Sequence, residues 1–184
     1  MKYLIAADLH GSAYYCEKLI EAFENEKADK LLLLGDLLYH GPRNPLPKGY
    51  DPKKVFEALN KLKDKIICVR GNCDSEVDQM VLEFPIMAGY TIIDVDGFSM
   101  FATHGHMYNK DNPPPLRKRD VLLNGHFHVP EVAKLDCCTY INPGSLSMPK
   151  EDSYHSYLTY EAGRFSWKNL LDETKYKCYD VMHI

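Results

Sequence analysis

The chain has 184 residues, 45% of them hydrophobic and 26% charged. That is enough apolar side chain for the core of one ordinary domain, so a single globular domain over 1-184 is expected. A formal net charge of -4, with no basic cluster longer than Arg117-Lys118-Arg119, excludes a protein that wraps the nucleic-acid backbone. The first apolar run, Tyr3 to Ala7, is cut by Asp8 and is too short for a signal h-region or a membrane span. Six cysteines without a C-x-x-C pair suit neither a zinc knuckle nor a secreted disulfide framework. A cytoplasmic protein with reduced thiols, no membrane partner and no stable nucleic-acid partner is the expectation, with homo-oligomerisation left open.

In chain order, residues 3-7 read as a strand, and Ser12 as the N-cap of a helix running to about Lys27 with Leu19, Ile20 and Phe23 inward. Residues 31-34 give a second strand. After the Pro- and Gly-rich loop from Gly41 to Pro52, Asp51-Pro52 opens a helix carrying Val55, Phe56, Leu59 and Leu62. Residues 66-69 give a third strand, and Asp74 reads as the cap of a short helix over Ser75 to Gln79. This is the pattern of βαβ units feeding a largely parallel sheet. Beyond Pro85, strands separated by turns take over: 90-95, an Asp96-Gly97 hairpin turn, 98-103, then 121-123, 132-135, 138-141, 155-160 and 164-167. The Pro113-Pro114-Pro115 run is a stiff loop, and Tyr154, Tyr157, Tyr160, Phe165 and Trp167 read as sheet packing.

Nearly every candidate ligand directly follows a predicted strand, where open α/β sheets gather functional loops. Asp8 and His10 follow the first, Asp36 the second through Gly35, Asn72 the third through Gly71. His104 follows 98-103, and His126 and His128 follow 121-123 through Gly125. These glycines allow sharp turns and close backbone approach. Two carboxylates, one amide oxygen and four imidazoles form a mixed hard and borderline set, suited to Mn²⁺, Fe²⁺ or Zn²⁺ and poor for calcium. Split over two ions that share a carboxylate, it is the layout of two-metal hydrolytic centres.

Asp8-Leu9-His10, Gly35-Asp36-x-x-x-x-Gly41, Gly71-Asn72, Thr103-His104-Gly105-His106 and Gly125-His126-Phe127-His128 resemble, in order, the five signatures of the calcineurin-like metallophosphoesterases. Gly71-Asn72-Cys73-Asp74, the loop Tyr39 to Pro45 and Asn142-Pro143-Gly144-Ser145 are closer to the small bacterial YfcE-type phosphodiesterases. The resemblance implies a four-layer α/β/β/α sandwich of two mixed sheets. It implies that Asp8, His10 and His128 hold one ion, that Asn72, His104 and His126 hold the other, and that Asp36 bridges them. Mn²⁺ is the first expectation, with Fe²⁺, Zn²⁺, Co²⁺ and Ni²⁺ as alternatives. It further implies hydrolysis of a small phosphodiester by a metal-bridging hydroxide, with Asp36, Asn72 and His104 as the catalytic core and Asn72 orienting a substrate oxygen.

The sequence departs from the family at Cys73, where many members have a histidine credited with protonating the leaving alkoxide. Cys73 is open to two readings, a buried small hydrophobe at the edge of the site or a thiol in the acid's place. His106 stands as a contact to substrate or to a ligand. Arg43 and His40 lie in the loop after Asp36, within reach of a phosphate or simply solvated. Two other functions stay in view: a scaffold that keeps the fold without catalysis, as the retromer subunit similar to this family does, and a phosphomonoesterase.

Overall fold

Alternation of apolar residues sets the layers. In β1 (Tyr3–Ala6), Leu4 and Ala6 point to one face and Tyr3 and Ile5 to the other. The first pair packs under α1 (Ala13–Asn25), and the second enters a core shared with another sheet. The computed structural model describes residues 1-172 and 175-180. Its elements continue with β2 (Lys30–Leu33), α2 (Pro52–Asn60), a 3₁₀ turn at Lys63–Lys65, β3 (Ile66–Cys68) and α3 (Glu76–Gln79). They end with β4 (Tyr90–Val95), β5 (Phe98–Thr103), β6 (Val121–Leu123), β7 (Pro130–Lys134), β8 (Thr139–Pro143), β9 (Ser156–Glu161), β10 (Arg164–Asn169) and β11 (Lys175–Asp180).

One sheet has the order β11-β10-β9-β1-β2-β3 and the other β4-β5-β6-β8-β7. Both are mixed: β1, β2 and β3 are mutually parallel, as are β5, β6 and β8, while hairpin partners run antiparallel. The inner faces meet in a core of Ile5, Leu32, Met100, Leu123, Ile141, Tyr160 and Trp167. The fully buried Trp167 indole donates to the Asn142 carbonyl at 2.8 Å, which satisfies its one polar atom. This is the expected α/β sandwich of two mixed sheets. Its outer layer over β5, β6 and β8 is the loop carrying Leu116, against Phe101, Leu122 and Tyr140, with no helix among the described residues on that side. The loop's proline run rules out helix there.

Local signals locate the early elements well. Ser12 caps α1 and Asp51 caps α2, each accepting from the backbone N–H three residues on. The cap of α3 is Ser75 in a capping box with Asp78, which corrects the assignment to Asp74. The strand expected at 138-141 runs on through Asn142 and Pro143, and β11 lies in a tail where no strand was expected. Tyr157, Tyr160, Phe165 and Trp167 are buried as expected, but Tyr154 is exposed because it precedes β9. Among the described residues no helix is long and apolar enough to cross a membrane.

Candidate metal centre

The carboxyl ends of β1, β2 and β3 reach the same edge as those of β5 and β6, and hydrogen bonds join the two sheets there. The Leu34 carbonyl lies 2.7 Å from His104 Nδ1, the His126 N–H donates to Asp8 Oδ2 at 3.0 Å, and the Leu146 N–H donates to the Ala7 carbonyl at 3.0 Å. Asp8, His10, Asp36, His126 and His128 all adopt positive φ, between 49° and 65°. Left-handed backbone is uncommon for residues with a Cβ and clusters at functional sites. Two glycines make room: a Cβ on Gly71 would stand 2.1 Å from Asp36 Oδ1, and one on Gly125 2.6 Å from the Ala7 Cβ.

Three imidazoles are locked by carbonyls. The Nδ1 atoms of His10, His104 and His128 lie 2.8, 2.7 and 2.7 Å from the carbonyl oxygens of Tyr39, Leu34 and Met148. Each Nδ1 therefore carries a proton; on neutral His10 and His128 the Nε2 presents a lone pair inward, and on His104 it does so once the Nε2 proton shared with Asp36 is displaced. His126 is turned the other way, with Nδ1 3.2 Å from His104 Nε2.

Two groups of inward atoms result. His10 Nε2 lies 3.4 Å from His128 Nε2 and 3.8 Å from Asp8 Oδ1, which is 3.5 Å from His128 Nε2. His104 Nε2 lies 3.0 Å from Asn72 Oδ1 and 3.2 Å from His126 Nδ1. Between them, Asp36 Oδ2 is 3.7 Å from His10 Nε2 and 3.4 Å from His104 Nε2, while its Oδ1 accepts the Cys73 N–H at 2.8 Å. Donors about 2.1 Å from one ion sit roughly 3.0–3.4 Å apart along a polyhedron edge, close to these separations.

Electrostatics point the same way. Asp8 Oδ1 is buried and has no hydrogen-bond partner among the described residues. Burial pushes the Asp8 carboxyl up to about 8. Burial also pushes Asp36 upward, but its hydrogen bond and charge attraction to His104 prevail and hold it below the usual carboxylate range. For His104 burial favours the neutral ring, yet Asp36 and Asp8 outweigh it and raise the imidazole to about 9. Burial lowers His126 and His128 to about 4, leaving them neutral donors. An orphaned buried carboxylate oxygen among inward lone pairs fits a bound divalent cation.

The structure thus brings together all seven residues singled out from the sequence. Cys73 is half-buried, with Sγ within 4.8 Å of ligand atoms of His10 and Asp36. Burial and the Asp36 charge push its thiol up to about 12, so it is no thiolate ligand. Arg43 is exposed on the cleft rim, and His106 is exposed with its ring 6.3 Å from that of His126. His40 instead packs edge-on against Tyr39 and Tyr50 and does not line the cleft.

The roles of four residues escaped the sequence reading. Asp74 is buried and accepts the N–H groups of Asp36, Leu37 and Gly71 at 2.8, 2.9 and 2.7 Å, tying the β2 loop to the β3 loop. Ser145 and Ser147 both donate to the Asp8 carbonyl, at 3.0 and 2.9 Å. Lys150 lines the cleft together with Arg43, and its N–H donates to the His128 carbonyl at 3.1 Å. An Asp two residues after a candidate ligand was a signal for the first, and the Asn142-Pro143-Gly144-Ser145 run was one for Ser145; nothing local marked Ser147 or Lys150.

A sandwich with polar loops converging on paired His and Asp clusters defines a metal-dependent phosphoesterase. The profile of the Calcineurin-like phosphoesterase superfamily domain matches residues 1–164, and the chain belongs to that superfamily. It is 47% identical over 157 residues to Phosphodiesterase YfcE of Escherichia coli K12, covering 85% of each chain. The solved structure of that E. coli phosphoesterase superposes with a TM-score of 0.95 at 42% identity, covering 98% of this chain and 100% of that one. Vps29 of Entamoeba histolytica, solved with Zn²⁺, shares the fold at a TM-score of 0.66 and 19% identity, covering 98% of this chain and 99% of the other. The chain is a hydrolase of phosphoesters that uses divalent metal.

Proposed function

We propose that this protein is a dinuclear phosphodiesterase, one domain over 1-184, working in the cytoplasm on a small diester without membrane or nucleic-acid partners. The observation that carries it is Asp36 Oδ2, which faces both donor groups, at 3.7 Å from His10 and 3.4 Å from His104. Asp8, His10 and His128 would hold one ion and Asn72, His104 and His126 the other, with Asp36 serving both; Mn²⁺ is the favoured metal among Mn²⁺, Fe²⁺, Zn²⁺, Co²⁺ and Ni²⁺. Such ions activate a water-derived hydroxide nucleophile and draw charge off the phosphoryl oxygens.

The chain's own residues prepare that chemistry. The Cys73 N–H holds one Asp36 oxygen so that the other stays aimed between the clusters. The carbonyls of Tyr39, Leu34 and Met148 fix three ring tautomers in advance, so no reorganisation is needed when charge develops. Asn72 stands at the mouth, with Nδ2 3.3 Å from Cys73 Sγ and free to turn to a phosphoryl oxygen. Arg43 and Lys150 add positive charge to the cleft lining.

With Cys73 in the family acid's place, its raised thiol is a poorer proton donor to a leaving alkoxide than an imidazolium would be. Diesters with good leaving groups suit this site better than monoesters of ordinary alcohols. The test is metal-reconstituted protein on bis(4-nitrophenyl) phosphate and on 4-nitrophenyl phosphate, with Asp36→Asn and His126→Ala as inactive controls. Faster cleavage of the diester is expected. Faster cleavage of the monoester overturns the diesterase assignment, and no turnover with any of the five metals overturns the catalytic one.

A further inference from the structure

Room in the metal cleft is small. The space bounded by His10, Asp36, Asn72, His126, Arg43 and Lys150 is about 120 Å³, below the range of small-molecule sites. It suits a phosphoryl group better than an ester arm. Immediately beside it, across Pro42, Asn72 and Cys73, a second groove of about 550 Å³ opens, within the range of small-molecule sites.

The walls of this groove are unlike those of the metal cleft. Tyr39 is 41% exposed and Val77 69% exposed, and with Pro42 they put apolar surface at its mouth. Both flank the β2 and β3 loops that carry Asp36 and Asn72. The Tyr39 ring is braced edge-on by His40 at 4.8 Å between centroids. The Arg70 guanidinium is held by the Asp74 carbonyl at 3.2 Å and by Glu76 at 3.6 Å. Two held planar groups and an apolar wall favour a flat ring. The Asp78 carboxylate, fixed by the Ser75 N–H and hydroxyl at 2.8 and 2.9 Å, also lines the groove and disfavours a second anion.

We propose that this groove is the leaving-arm subsite and that it selects an uncharged planar aromatic arm, seated against Tyr39 and Val77 with its ester oxygen beside Cys73. The assignment rests on the phosphodiesterase reading and supplies its substrate class. Tyr39 acts through its side chain here, since its contact with His10 uses the main-chain carbonyl.

The experiment compares wild type with Tyr39→Ala, Tyr39→Phe and Val77→Asp on bis(4-nitrophenyl) phosphate and methyl 4-nitrophenyl phosphate, which share one leaving arm. Inhibition by inorganic phosphate reports the metal centre separately. Loss of an aromatic stacking partner predicts a KM about 3- to 10-fold higher for Tyr39→Ala on both esters. Val77→Asp should follow it, Tyr39→Phe should stay near wild type, and phosphate inhibition should not move.

A KM within two-fold of wild type on both esters overturns the assignment. So does a rise confined to the bis-aryl ester, which would place the retained arm in the groove, or a parallel loss of phosphate inhibition, which would locate the damage in the centre. Wild-type protein inert on both esters removes the diesterase reading and this assignment with it. Active wild type with an insensitive Tyr39→Ala removes the assignment alone.

Discussion

Replacing Asp74 by Asn tests whether the β2 and β3 loops are registered by one buried carboxylate. Asp74 Oδ2 accepts from Asp36 and Gly71, and Oδ1 from Leu37. An Asn can keep its oxygen on the first two donors, but its amide then opposes the Leu37 N–H. A lost hydrogen bond to a charged acceptor is worth about 1.5–3 kcal/mol, and a stranded buried donor about 1–3 kcal/mol more. Relief works against this: burial and the charge of Asp36 already push the Asp74 carboxyl up, and Asn removes that charge. The net expectation is therefore about 2 kcal/mol, a fall in Tm of roughly 4–8 °C for a chain of this size. Asp36 sits at φ 57° and loses the bond to its N–H that holds it there if the Asn settles the other way. A displacement near 1 Å costs on the order of 100-fold in rate. Thermal melts of metal-free protein and calorimetric metal titration read the two effects. Unchanged Tm and unchanged metal affinity refute the argument, and a lower Tm with native metal affinity refutes the positioning role.

Gly71→Ala puts a Cβ 2.1 Å from Asp36 Oδ1, so metal affinity should fall at least ten-fold; a titration indistinguishable from wild type would show that the loops yield. In metal-free protein, buried neutral His126 and His128 bind fewer protons folded than unfolded and add stability as pH rises from about 4 to 6.5; the lowered His10 acts in the same sense, and the raised Asp8 and Asp74 act oppositely. The raised His104 stabilises fully below 6.5, and that contribution is lost as pH climbs through about 9. Urea midpoints should therefore peak near pH 6.5, with saturating Mn²⁺ abolishing the alkaline decline; a metal-free midpoint higher at pH 8.5 than at 6.5 contradicts this. Cys73→His restores an acid beside the leaving oxygen and should raise alkyl-ester rates relative to aryl-ester rates. Unchanged relative rates would dismiss the leaving-group account.

Which features were readable in advance follows from their physical range. Ser12 and Asp51 signal their helices because a cap acts over three residues, and Asp96-Gly97 signals its hairpin for the same reason. The strand that completes one sheet edge, β11, has no strong pattern of its own, since an edge strand takes its place by pairing with β10. Asp74 was misassigned because an acid before a short helix has a local use as a cap, and its three actual donors come mostly from a loop 37 or 38 residues away.

The sequence alone determined the candidate donor set: seven residues of metal-binding type, nearly all placed directly after a strand, in an order and chemistry that few other functions require. Strand periodicity and turn chemistry are local, so those positions survive without knowing how the sheets meet. Only the tertiary structure decided that Asp36 Oδ2 faces both clusters, that carbonyls of Tyr39, Leu34 and Met148 aim three imidazoles inward, and that Asp8 Oδ1 is buried without a hydrogen-bond partner among the described residues. It also decided that Tyr39 and Val77, 38 residues apart, flank one groove beside Cys73. Such relations depend on the packing of two sheets edge to edge, and no short-range pattern encodes the distance between residues on different strands.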